Sequence, residues 1–411
     1  MRLSLKKLIK NTTLVVTALF ALALLPTTAG AQDLNQVKSS SSLTLKQQGS
    51  FFVGGNTHVV DDAVTGSTPG RFGNSMINQM YVQFQIPEKT NNEYPIVFVH
   101  GCCLSSKTWE TTPDGRMGWY EYFTRKGYAT YMADQVGRAR SGFDGLTINK
   151  VKLAGEPVTS LPSVLIATDQ FAWSVFRFGV YATKTPWADE RFPMKTVGVG
   201  PGSNLTFYKQ VIPDMTSTLG VFGPLPSDPR PTPTSMAALS KDLGGAILVG
   251  HSQSSSFPTR AALADPTGVK GIIQLETGCF ANLTAADVAK LKKIPILIME
   301  GDHYVEADGV TPQVKPPATC VTQMNQINGA GGNMTYIHLP ALGIKGNSHM
   351  FMQDNNNLQV ADIIMKWIDK NVKPKRSGND HHDDDDDHHG GNDHHDDDDH
   401  HGHGGHGGNH H

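Results

Sequence analysis

The chain has 411 residues, with 35 Lys and Arg against 38 Asp and Glu for a formal charge of −3. That near balance leaves no basic footprint for a nucleic acid. At 38% hydrophobic and 18% charged residues, the chain can build a globular core and is not disordered throughout.

In chain order, the first segment is an address. Arg2, Lys6, Lys7 and Lys10 precede a mostly apolar run over residues 14–25, and Ala29-Gly30-Ala31 supplies small residues for cleavage. This pattern predicts a signal peptide over residues 1–31. A run of twelve is too short for a bilayer, which needs roughly 20 residues. The expected mature protein starts near Gln32, has no membrane span and is exported, periplasmic or extracellular. In that oxidising setting cysteine pairs are bridged more often than reduced.

The body, residues 32–376, alternates strand and helix patterns. Residues 47–73, rich in Gly, Ser and Thr, predict a hairpin or strands at a sheet edge. Strands follow at 81–86, 96–100 and 128–133, with a helix at 118–126 and another at 169–181. Residues 184–241 contain PLPSDPRPTPT and read as an insertion, a lid or a tolerated surface excursion. Beyond it come strands at 246–250, 271–276, 294–300 and 334–339, with helices at 254–264, 321–327 and 358–372. Such alternation predicts an α/β domain with a mostly parallel central sheet covered by helices on both faces. Ligands bind such sheets at the carboxyl ends of the strands.

Residues 377–411 hold 11 Asp and 12 His without Lys, Arg or a large apolar side chain. This segment predicts a disordered tail. Without tail and leader the body has 27 acidic and 31 basic residues, about +4. Imidazoles such as His381, His382, His388 and His389 among carboxylates suit Zn²⁺, Cu²⁺ or Ni²⁺. Metal sequestration and simple solvation are the two readings of the tail.

Chemistry is concentrated at three places. In LVGHSQS (248–254), Ser252 follows a strand and precedes a helix, as a nucleophile elbow requires. Ser254 stands where the usual G-x-S-x-G pattern ends in glycine, and a capping serine is the competing reading. A serine nucleophile needs a base and an acid to orient it. Six histidines lie outside the tail: His58, His100, His251, His303, His338 and His349. His349 follows the last strand, where this arrangement places its base. His338 falls inside a strand pattern, and His100 suits a supporting role beside the third feature, Cys102-Cys103 in VFVHGCCLSS (97–106). For the acid, Glu276 and Asp302 each end a strand, and spacing leaves both open.

The runs HGCCLSSKTWETTPDGRMGWYEYFTRKGY (100–128), DQVGRARSGFD (134–144), GHSQSS (250–255) and LPALGIKGNSHMFMQDNNNLQVAD (339–362) resemble a small family of secreted bacterial α/β-hydrolase esterases. The likeness extends over residues 49–371, and members have a vicinal cysteine pair at the oxyanion hole. It implies the α/β-hydrolase fold, with Ser252 as nucleophile, His349 as base and Glu276 as acid. It further implies the Cys102 and Gln253 N–H groups as oxyanion donors, and disulfides Cys102–Cys103 and Cys279–Cys320. A bridge between neighbours would fix where the Cys102 N–H points. The expected activity is serine carboxylesterase action on a small-molecule ester, with no cofactor required. Lactonase or amidase action and a non-catalytic or metal-sequestering binding protein are the rivals. A homodimer is allowed, though no interface is legible.

Overall fold

The computed structural model describes residues 41–66, 72–162, 164–215, 231–276, 279–280, 282–306 and 311–372. The expected signal peptide and the His/Asp tail with its candidate metal ligands lie outside these residues.

The chain opens with the predicted edge hairpin. Strand β1 (Leu45–Val60) pairs antiparallel with β2 (Gly73–Pro87), in register from Gln47 opposite Ile86 to Val60 opposite Gly73. The remaining strands are short: β3 (Ile96–Val99), β4 (Thr130–Ala133), β5 (Ala246–His251), β6 (Val269–Leu275), β7 (Ile296–Glu300) and β8 (Met334–His338). The sheet order is β1-β2-β4-β3-β5-β6-β7-β8. From β4 onward neighbouring strands run parallel, and β2 joins β4 antiparallel. This is the mostly parallel sheet that the alternation predicted, in the α/β-hydrolase fold that the resemblance implied.

Each central strand is buried on both faces, which is why these segments read as continuous apolar runs. Alternate side chains serve opposite layers. Ile96, Phe98, Ile247, Val249, Leu297 and Met299 pack with α1 (Trp119–Arg125) and with Ile364, Trp367 and Ile368 on one side. On the other, Val97, Val99, Leu248, Ile272, Ile296 and Ile298 meet Met236, Leu239, Phe257, Ala261, Leu291 and Ile327. Between β4 and β5 lie α2 (Leu146–Ala154), α3 (Asp169–Val175) and α4 (Pro231–Asp242). Helices α5 (Phe257–Ala264), α6 (Ala285–Leu291), α7 (Ala318–Gly329) and α8 (Asn357–Asn371) complete the set.

Two sequence expectations change here. The helix predicted over 169–181 stops at Val175, and Arg177 adopts a left-handed backbone with φ +61°. The predicted insertion also ends earlier than residue 241, because Pro231–Asp242 is the regular helix α4, buried against the sheet. Proline is tolerated in a helix's first turn, where the missing N–H would have no intrahelical partner. The described part of the insertion is no loose excursion. Phe192 and Phe207 pack on Phe178 with ring centres 4.3 and 5.5 Å away, and Phe207 meets Phe176 at 5.7 Å.

Cys279 and Cys320 are bridged, as the resemblance implied. Their separation of 41 residues corresponds to roughly 4 kcal/mol of unfolded-state constraint in the chain-entropy account. The bridge ties the segment after Glu276 to α7. No helix among the described residues is long and apolar enough to cross a membrane.

Candidate active site

The site lies at the carboxyl ends of β3, β5, β6 and β7. Ser252 follows β5 at the start of a short 3₁₀ turn, Ser252–Ser254, with φ +56°. A non-glycine residue rarely takes that conformation unless its surroundings impose it. The turn is tight enough that a Cβ on Gly250 would lie 2.2 Å from the Ser254 carbonyl oxygen. Ser254, the departure from the usual glycine, has a use of its own. Its hydroxyl accepts the His251 N–H at 3.0 Å and reaches the carbonyls of His251 and Val99, each at 3.0 Å. The elbow is thereby pinned to β3, the strand that leads into the cysteine pair.

His349 sits beside this elbow. The His251 ring lies 4.8 Å from its ring, and His251 Nε2 donates to the His349 carbonyl at 2.8 Å. Phe176 stacks on the other side at 5.6 Å and accepts the His349 N–H at 3.1 Å. His349 Nδ1 stands 3.0 Å from Glu276 Oε2, while Nε2 is buried with no hydrogen-bond partner among the described residues. With an Nδ1–H donated in a hydrogen bond to the Glu276 carboxylate, Nε2 is left with a lone pair. Asp354, buried, fixes the loop by accepting from the Ser348 N–H, the Ser348 hydroxyl and Asn347 Nδ2.

Of the two carboxylates that spacing left open, Glu276 is the one at His349. Asp302 turns away: its oxygens accept the His303 N–H at 2.7 Å and the Gly346 N–H at 2.9 Å. Glu276 also accepts from the Gly301 N–H at 2.6 Å and the Tyr304 hydroxyl, and it pairs with Arg177 at 2.7 Å. Burial alone would raise its pKa, but Arg177, His349 and Tyr304 outweigh burial and hold it well below the carboxylate range. For His349 burial dominates and lowers the pKa, with Glu276 opposing and Arg177 adding to the lowering.

The cysteine loop abuts the elbow because residue 101 is glycine. A Cβ there would stand 2.9 Å from the Ser252 Cβ and 3.0 Å from the His251 carbonyl oxygen. Cys102 is half-buried, and the adjacent Cys103 thiol lowers its pKa. The Cys102–Cys103 bridge implied by the resemblance is not formed: both are free thiols in this structure. The physical obstacle is spacing. Neighbouring Cα atoms lie about 3.8 Å apart, whereas disulfides favour about 4.4 to 6.8 Å, so closure strains the backbone. The loop is held by other means. The Cys103 N–H donates to Asp214 Oδ2 at 2.6 Å, and the Ile212 N–H donates to the Cys103 carbonyl at 2.9 Å. Asp214 pairs with buried Arg138 at 2.6 Å. Arg138 in turn reaches the Gln253 side-chain oxygen at 3.3 Å, which Gln135 Nε2 also meets at 3.0 Å.

His100 supports this loop, as its position suggested. Its Nε2 accepts the Gln135 N–H at 3.1 Å, which puts its proton on Nδ1 toward the Gly101 carbonyl at 2.8 Å. Burial lowers its pKa to about 4, so it stays neutral. His338 ends β8, where packing was expected. Arg177, Tyr304, Arg138 and Asp214 were not legible as site residues. Each acts across a long sequence separation, and although Arg138 falls in the quoted run DQVGRARSGFD, nothing there marks it as a site residue.

Among the described residues, Cys102 with Cys103 and Asp214, and Asp189 with Asp302 and His303, bring metal-ligand atoms within 4.8 Å of one another. In both groups carboxylates are already engaged by N–H donors or by Arg138. A cavity of about 660 Å³, walled by Trp173, Trp187, Tyr304 and Lys315, reaches Glu276 and His349.

Comparison with known proteins gives these residues a context. No family profile matches the chain. A solved structure described as a novel bacterial esterase is 42% identical, with a TM-score of 0.71 over 82% of this chain and 99% of that one. The chain belongs to that α/β-hydrolase esterase family. A fungal protein described as a probable secreted lipase, from Fungal sp. (strain ATCC 74256), is 24% identical over 354 residues. That match spans 73% of this chain and 88% of the lipase.

Proposed function

We propose that the protein is an exported serine carboxylesterase that hydrolyses small-molecule esters through an acyl-enzyme. The observation that carries this reading is His349, with Nδ1 on Glu276 and Nε2 without a partner among the described residues, beside a strained Ser252 turn. His349 takes the Ser252 proton as the hydroxyl attacks the ester carbonyl. It then protonates the departing alcohol and later activates water that releases the acid. The Cys102 and Gln253 N–H groups are the oxyanion donors in this mechanism. Losing one such donor costs about 2.7 to 4 kcal/mol of transition-state stabilisation.

The esterase and lipase relatives support an ester as substrate, and the lipase, described as secreted, supports export together with the Cys279–Cys320 bridge. The chemistry proposed uses no cofactor. Divalent metal binding belongs to the tail, where His381, His382, His388 and His389 alternate with aspartates.

A panel of p-nitrophenyl and alkyl esters of graded acyl length, assayed with wild type and Ser252→Ala, tests this reading. Wild type is expected to cleave short esters, with Ser252→Ala retaining a residual rate at least about 10³-fold lower. Equal rates in the two proteins would remove Ser252 from the mechanism. Cleavage of amides or lactones in place of esters would move the activity to a neighbouring class.

A further inference from the structure

Arg177 is absent from the mechanism above, yet both terminal nitrogens of its guanidinium face the Glu276–His349 pair. Nε donates to the Asp302 carbonyl at 2.6 Å, one terminal nitrogen stands 3.0 Å from His349 Nδ1, and the other lies 2.7 Å from Glu276 Oε2. The guanidinium carbon sits 3.9 Å from the centre of the Tyr304 ring. Arg177 is 9% exposed and held at φ +61°, a conformation that persists only where surrounding contacts over-determine it. The left-handed turn that ends α3 is what brings this side chain to the relay.

Two groups therefore compete for one nitrogen. Nδ1 of a neutral imidazole either donates to Glu276 or accepts from Arg177, not both. In the first state Nε2 can take a proton from a hydroxyl; in the second it already holds one. Glu276 favours the first state, and Arg177, in ion-pair contact with the same carboxylate oxygen, keeps it in place. The guanidinium is also a fixed positive charge against a ring that must become positive during turnover.

We propose that Arg177 is a positioning residue of the relay: it fixes the Glu276 carboxylate on His349 and offsets part of its charge, so that His349 remains a neutral proton acceptor in mildly acidic medium. This rests on the esterase reading given above. The groups facing His349 support it. From β5, His251 is buried and neutral, its pKa lowered to about 3 by burial and by His349. From the end of β7, Glu300 is paired with Lys315 at 2.8 Å, and Asp302 is engaged by two N–H groups. Tyr304 donates to Glu276, and Asp354 is tied to its own loop. Glu276 and Arg177 are the charged groups in direct contact with the imidazole.

The test compares Arg177→Met and Arg177→Lys with wild type in the full chain, reading the pH dependence of kcat/KM for p-nitrophenyl acetate. Removing an adjacent charge shifts a neighbour by about 1 to 3 pKa units. The acidic limb of Arg177→Met is therefore expected to move up by at least about one unit, while Arg177→Lys restores most of the wild-type position. NMR titration of His349 in Ser252→Ala, with and without Arg177→Met, must show the same rise without any turnover. An unmoved or downward-moving limb and titration would overturn the proposal, even if kcat fell. Should Arg177→Met fail to fold, Arg177→Gln, which keeps a donor but removes the charge, decides the matter by the same two readouts: a limb and titration above wild type support the proposal, and unchanged ones contradict it. Failure of the esterase reading is distinct, because it appears in wild type as absent hydrolysis whatever the His349 titration shows.

Discussion

Glu276→Gln should lower kcat by about 10³ to 10⁴-fold, and Asp302→Asn should leave it within about tenfold. The first magnitude is what amide replacement of a relay carboxylate costs in the serine-protease triad, where the base is left in the wrong tautomer. Glu276 accepts from the His349 ring, the Tyr304 hydroxyl and the Gly301 N–H, and is paired with Arg177. A Gln amide has one acceptor oxygen and an NH₂ that would face donors. With its oxygen at the Oε2 position the amide offers His349 no negative charge and sets its NH₂ against the Gly301 N–H; turned the other way, it sets the NH₂ against His349, Tyr304 and Arg177. Asp302 contributes its carbonyl to Arg177 and its carboxylate to two backbone N–H groups. An Asn side chain keeps one of those bonds and leaves the carbonyl untouched. Steady-state kinetics on the two variants decides between the carboxylates, and a collapse of kcat in Asp302→Asn alone would reverse the assignment.

The second large effect concerns Asp214. Asp214→Ala should reduce kcat by about 10 to 100-fold with little change in KM, since a displaced oxyanion loop weakens only the transition state. It should also destabilise the fold by about 3 to 5 kcal/mol, because Arg138 would remain buried without its partner. Arg138 and Asp214 have side chains 2% and 0% exposed, so solvent cannot take over the lost contact. Asp214→Asn keeps an acceptor for the Cys103 N–H and should recover most of the kcat, but not the ion pair. Denaturant unfolding read beside the kinetics separates the two roles. Unchanged kcat in Asp214→Ala would mean that the insertion does not brace the cysteine loop.

What was legible in the sequence was local. Buried parallel strands appear as short apolar runs, and a strand, a small-residue turn and a helix in LVGHSQS mark the elbow. His349 is found because it is the histidine that follows the final strand. Glu276 could not be separated from Asp302 by spacing, since β6 and β7 end side by side and only the direction of each side chain distinguishes them. Arg177 was hidden inside a plausible helix, and a positive φ in a non-glycine residue leaves no compositional trace. Asp214 meets Cys103 across 111 positions, with no periodicity linking them. The proline-rich stretch misled at its end, where Pro231 and Pro233 occupy a helix's first turn. Ser254 looked like a weakened motif, whereas its hydroxyl ties the elbow to Val99.

The central claim is that Ser252 is a nucleophile activated by His349. Treatment of the intact protein with a fluorophosphonate, followed by peptide mass analysis, tests it most directly. The account predicts about one adduct per chain, on Ser252, forming at a rate that His349→Ala lowers by at least about 10³-fold. An unlabelled Ser252 in a protein that still cleaves esters, or labelling indifferent to His349, would contradict it.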